Sequence, residues 1–226
     1  IVADLQDRGL LANSLYSYHL EDCGDLIEDC PIELDTLDIA RLLTPFLAQA
    51  PYSCDSFTVD QQNDHHLHAE DLYTQTYCSI VLETLFDDTR VHLTEKILRP
   101  IAVGQPFIIC STPGSLEYLH TYGFKTFGDI IDESYDQEKD PDVRIEKIVK
   151  ELNRLCKLDE SQLNEMYQEM LPTLEYNFNH FYGGNFKTHV VTEMVENFEG
   201  VLRQINVGKL PQKQIDTSQF NAQEVI

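Results

Sequence analysis

The chain has 226 residues, with 16 Lys and Arg set against 39 Asp and Glu for a formal net charge of −23. Its length and ordinary apolar content fit one large domain, or one domain with a helical extension, that buries a real core. The charge argues against broad nucleic-acid binding and against an anionic membrane surface, because phosphate affinity comes largely from Lys and Arg; any bound anion must be held locally.

The chain opens on Ile1, with nothing resembling a signal peptide, and no apolar stretch is long enough to span a bilayer. We expect a processed chain or part of a longer protein, located in the cytoplasm. The acidic excess lies toward the amino end, where Arg8 and Arg41 are the only Lys or Arg before Arg90, and reads as a solvated acidic face. Cys23, Cys30, Cys54, Cys78, Cys110 and Cys156 are scattered without a C-x-x-C or zinc-type spacing, which fits a reduced protein.

In chain order, "IVADLQDRGLLANSLYSYH" reads as a helix end, a Gly-Leu turn and a short strand from Leu15 to Tyr18. "TLDIARLLTPFLAQAP" has helical apolar spacing that stops at Pro51. The loop "DQQNDHHLH" leads into a short helix at "AEDLYTQT", and "YCSIVLETLF" reads as a strand buried on both faces. After the acidic turn "DDTR" come a helix from Thr94, a stop at Gly104, the strand "PFIIC", a helix in "PGSLEYLHTYG" and a further short strand in "FKTFGDII". This alternation predicts an α/β fold with a parallel sheet. From Pro141 onward three helices follow, each with an Asp, Ser or Asn near its start, and the tail from Lys209 reads as frayed. The expected organisation is an α/β nucleotide-binding region over 1–140 and a helical extension over 141–226.

A helix that follows a buried parallel strand presents unpaired N–H groups and the positive end of its dipole, which favour an anion. Thr94, Glu95, Lys96 and Arg99 stand at such a start. Lys96 and Arg99 deepen the preference for an anion, and a carboxylate beside a phosphate site suits the hydroxyls of a ribose. The simpler reading is that Thr94 caps the helix and Glu95 pairs with Arg99 one turn on, worth about 0.3–0.5 kcal/mol. Pro100 removes a donor within the helix and predicts a kink or a delayed start.

The stretch "VHLTEKILRPIAVGQPFIICSTPGSLEYL" resembles the Tyr/Phe-x-Thr-Glu-Lys motif of α-1,3-fucosyltransferases and related GT-B glycosyltransferases. "GFKTFGDIIDESYD" resembles a stretch shared, together with that motif, by little-characterised phage, viral and bacterial proteins. The resemblance covers roughly residues 76–136. It departs from the fucosyltransferases at His92, which replaces the aromatic, at Pro100, and in a slightly shorter run from Lys96 to Pro106. It implies a Rossmann-like carboxyl-terminal half of GT-B type that binds a nucleotide sugar, with Glu95 on the ribose and Lys96 on the diphosphate. The implied reaction moves a sugar from that donor to a hydroxyl acceptor, with the nucleotide sugar as substrate and no further cofactor. The general base of such an enzyme usually comes from the amino-terminal half, for which this chain is too short. The expected partner is therefore a missing amino-terminal domain or another protein.

Glu83, at the end of its strand, points toward the ligand crevice of a parallel sheet or simply into solvent. Ser111, Thr112 and Gly114 offer donors to a phosphate, and a tight turn explains them equally well. His65, His66 and His68, with Asp64 and Glu70, read as a polar loop rather than a metal site. Asp132, Glu133 and Asp136 read as an acidic turn, and a metal-dependent phosphotransferase or hydrolase built on them ranks last. The competing class is a non-catalytic interaction module that keeps a glycosyltransferase-like fold.

Overall fold

The computed structural model describes residues 5–6, 8–16 and 70–204. The helix expected over 36–51, the histidine loop over 60–68 and the tail from 209 lie outside the described residues. Two compact units divide the chain, 1–186 and 187–226.

In the first unit, Gly9 at φ 70° turns the chain into a single 3-10 turn, Leu10–Asn13, that sends Leu10 and Leu11 into the core. Leu15 and Tyr16, expected to begin a strand, belong to no ladder, and residues 17 and 18 lie outside the described residues. A short helix, α1 (Glu70–Tyr73), precedes β1 (Ser79–Leu82). After it come α2 (Glu95–Val103) and β2 (Phe107–Cys110), which runs parallel to β1 with Ser79 opposite Phe107 and Leu82 opposite Cys110. All four β2 residues are buried, as a continuous apolar run requires. The longer strand expected across 77–86 shrinks to four residues, of which only Val81 is buried while Leu82 is 44% exposed. Among the described residues β1 pairs on one side only, with β2, and both Val81 and the partly buried Ile80 reach the core.

α2 begins at Thr94 and ends at Gly104, whose φ of 70° lets its N–H fold back on Ile101 O at 3.2 Å. Pro100 is accommodated inside the helix, where Ile97, Pro100 and Ile101 form the buried face. α3 (Ser115–Thr121) then leads to the stretch expected as a strand, "FKTFGDII", which joins no ladder among the described residues. Its buried residues Phe124, Phe127 and Ile131 recur at intervals of three and four rather than two, which suits a turning chain and not a pleated one. Side chains replace the missing ladder. Asn177 takes both main-chain groups of Lys125, at 2.8 and 2.9 Å, and Glu133 takes the Phe127 N–H at 2.7 Å.

Three longer helices complete the described chain: α4 (Pro141–Leu155), α5 (Glu160–Tyr182) and α6 (Asn185–Gln204). Asp140 caps α4 through the amides of Asp142 and Val143, and Asp159 forms a reciprocal capping box with Gln162. α4 packs on β2 and on the 3-10 turn Ser134–Gln137, and α5 packs on α2. Both helices thus lie within the first compact unit, 1–186. The result is a mixed α/β fold with a two-stranded parallel sheet and a helical carboxyl end.

Candidate functional site

The Thr94-Glu95-Lys96 turn stands at the carboxyl end of β1, where the sheet delivers it beside Glu83. Glu83 is buried, and its two carboxylate oxygens accept from the Thr94 N–H at 3.1 Å and the Thr94 hydroxyl at 2.7 Å. The Thr94 oxygen in turn accepts from the Lys96 N–H at 3.4 Å. A relay of hydrogen bonds therefore fixes the first turn of α2 to the end of the strand. Lys96 reaches back over that strand end, its ammonium 3.2 Å from the hydroxyl of Thr84. Glu95 projects into solvent.

Arg99 lies one turn further along. Among the described residues it forms no ion pair with Glu95, and its Nε is buried without a partner. Its charge is felt by Tyr73 on α1, whose hydroxyl is pushed up chiefly by burial and drawn partly back by the guanidinium. Glu83, Thr84, Thr94 and Lys96 thus converge at the carboxyl end of β1, while Arg99 looks toward α1.

The loop that follows Thr84 is fastened by its carbonyls. Ser111 donates to Leu85 O at 3.2 Å, Thr112 to Arg90 O at 3.1 Å, and the buried Arg144 to Phe86 O while its guanidinium lies 4.2 Å from the Phe86 ring. The hydroxyls of Ser111 and Thr112 are thereby engaged within the chain. The Gly114 N–H is held as well, by Asp136 O at 2.8 Å.

Asp136 also occupies the start of α3. Its carboxylate accepts from the Leu116 N–H at 3.0 Å, and the amides of Ser115 and Glu117 hold it too. Burial nonetheless raises this carboxyl above its ordinary value, because removing a charge from water outweighs those amides. The chain's own carboxylate therefore sits where the second loop would face an anion.

The three acids of the expected turn diverge. Asp132 is held by the Ser134 hydroxyl and by the Ser134 N–H at 3.1 Å, which together lower its pKa, while Glu133 turns to the Thr126 hydroxyl and the Phe127 N–H, both at 2.7 Å. Among the described residues no group of three or more His, Cys, Asp or Glu could hold a metal. Among them, too, no helix is long and apolar enough to cross a membrane. Sequence reading missed Thr84 as part of the site's architecture and took Asp136 for part of an acidic turn rather than the cap of α3. Thr84 was signalled by its position immediately after Glu83, whereas Asp136 carried no local signal, since its partners lie about twenty residues upstream.

No family model, no curated protein and no solved structure matches the chain.

Proposed function

We propose that the chain is mainly the donor-binding half of a GT-B-type glycosyltransferase, with a Rossmann-like core, that transfers a sugar from a nucleotide sugar to a hydroxyl acceptor. The observation that carries this reading is the Lys96 ammonium lying over the carboxyl end of β1, on a helix start that Glu83 and Thr94 hold in place. Parallel sheets bind ligands at this end of their strands, and a helix N-terminus favours a diphosphate there. In the proposed complex Lys96 meets the diphosphate and the exposed Glu95 meets the ribose. Glu83, with both oxygens taken by Thr94, positions the turn rather than touching the donor.

The test is a thermal-shift screen of the chain against GDP, UDP, ADP and CMP and their sugar conjugates, with and without magnesium, repeated on Lys96→Ala and Glu95→Ala. Ligand that binds only the folded state raises its melting temperature. A shift with one nucleotide that disappears in both variants supports the reading, and unchanged binding in both variants overturns the site. The exposed apolar face of α6 favours a second reading, a non-catalytic interaction module. The absence of any nucleotide-dependent shift would support that module.

A further inference from the structure

Two connections leave the carboxyl end of the sheet. The first, from β1 to α2, carries Thr84 at its start and Thr94 at its end, so its shape decides where the Lys96 ammonium finds the Thr84 hydroxyl. The second follows β2, and its Gly114 and Leu116 N–H groups are both held by Asp136. Arg144, near the start of α4, reaches the first connection and the stretch that carries Asp136. It is 1% exposed, and its two terminal nitrogens go to main-chain carbonyls, while its Nε is buried without a partner. Nη2 donates to Phe86 O on the first connection, and Nη1 donates to Glu138 O at 2.7 Å and Lys139 O at 3.4 Å, just beyond Asp136. The Phe86 ring lies 4.2 Å from the guanidinium. Asp87, Asp136, Glu138 and Asp140 act on its charge, yet no ion pair among the described residues includes it. An ion pair would fix one side chain, whereas these carbonyls fix two stretches of backbone.

We propose that Arg144 is a positioning residue of the donor site: one guanidinium fastens both connections at the carboxyl end of the sheet and thereby sets the place of Lys96. Its consequence for a nucleotide rests on the donor-binding reading; the fastening itself does not. Ser111 and Thr112 hold the first connection from the end of β2 alone, so Arg144 is the hold that ties it to α4 and to the Asp136 turn. A ligand gains affinity from a turn that is already ordered, and loosening that turn weakens binding without removing a contact. Lysine is no substitute, because an ammonium is a point donor without the planar fork that spans separate carbonyls.

Hydrogen exchange of the full chain tests the fastening in the parent, Arg144→Lys and Arg144→Ala, with Thr94, Gly114 and Leu116 read against Met166–Leu174 in α5. Arg144 bonds to none of these three amides, so faster exchange there reports the loosened connections and not a deleted bond. All three are expected to exchange at least tenfold faster in both variants, with α5 unchanged. Millimolar methylguanidinium should restore Arg144→Ala, where it fills the vacated place, and not Arg144→Lys. Affinity for GDP, UDP, ADP or CMP, whichever binds the parent, should fall at least tenfold in both variants and recover in Arg144→Ala with the same rescue. Acceleration confined to Thr94, or spread equally through α5, would overturn the common fastening. Loosened connections with unchanged nucleotide affinity would overturn the positioning role. A parent that binds none of the four would sink the donor-binding reading, and exchange alone would still decide whether one guanidinium holds both connections.

Discussion

Glu83 takes both polar hydrogens of Thr94, the main-chain N–H at 3.1 Å and the hydroxyl at 2.7 Å, from eleven residues away in the chain. Thr94→Ala removes the hydroxyl that serves both the Glu83 carboxylate and the Lys96 N–H, and leaves a buried carboxylate short of a donor. The expected loss is about 1–2 kcal/mol, read as a lower urea midpoint, with Thr94→Ser close to the parent. Equal midpoints for Thr94→Ala and the parent would show that the relay does not hold α2.

Asn177 stands in for a strand. Its carboxamide pairs with the N–H and the carbonyl of Lys125 from 52 positions away, and it is itself buried. Asn177→Ala should cost about 2–3 kcal/mol, because two main-chain groups lose their partners together. Hydrogen exchange at Lys125 should accelerate in the same variant; protection that persists would mean that the turn is held by other contacts.

Two glycines separate backbone freedom from steric room. Gly104 and Gly123 both have positive φ, 70° and 86°, but a Cβ at Gly104 meets nothing, whereas at Gly123 it would lie 2.8 Å from the His180 ring. Gly104→Ala is expected to cost about 1 kcal/mol and Gly123→Ala at least about 2 kcal/mol, since the ring must move as well. In the background of His180→Ala the penalty of Gly123→Ala should fall toward that of Gly104→Ala, as a thermal-melt comparison of the four variants would reveal.

Burial raises Glu133 from its ordinary 4.5, against the opposing hydrogen bonds of Thr126 and Phe127. The native chain therefore holds this proton more tightly than the unfolded chain does. The resulting stabilisation is full below about pH 4.5 and is lost as pH rises through the higher native value. Asp132 and Glu138, lowered by Ser134 and Lys147, run the other way and weaken the fold as pH falls through their native values. Comparing Glu133→Gln with the parent isolates one group: the parent's urea midpoint should decline relative to the variant as pH rises from about 4.5 through the raised native value. Parallel profiles would show that Glu133 titrates alike in both states.

The thiols of Cys78 and Cys110 are both pushed up to about 12, mainly by burial. Cys156, half-buried at the end of α4, is raised as well but is more accessible. Timed alkylation of the native chain near neutral pH, mapped by peptide mass, should modify Cys156 before Cys78 or Cys110, because thiolate fraction and access set the rate. Labelling of Cys110 at the rate of Cys156 would contradict a closed β2.

The sequence was readable where the cause is local. Thr94, Gly104, Asp140 and Asp159 announce helix ends through their own side chains or backbone freedom, and each stands at the boundary its type predicts. The unpaired stretch at 124–131 was not readable as a turn, because its closure depends on Asn177 from another helix and on Glu133 beyond it. The candidate site was legible in part. Residue types marked Glu83 and Lys96, but only the fold could bring the Glu83 carboxylate onto Thr94 and the Asp136 carboxylate onto the start of α3.

The Tyr135 hydroxyl accepts from the Ile109 N–H at 3.4 Å. In a parallel ladder the groups of alternate residues face opposite neighbours, and it is Ile108 and Cys110 that serve β1, so Ile109 faces the other flank of β2. A buried phenol stands there in place of a backbone, with α4 packed beside it. Among the described residues the sheet consequently keeps one open edge, that of β1.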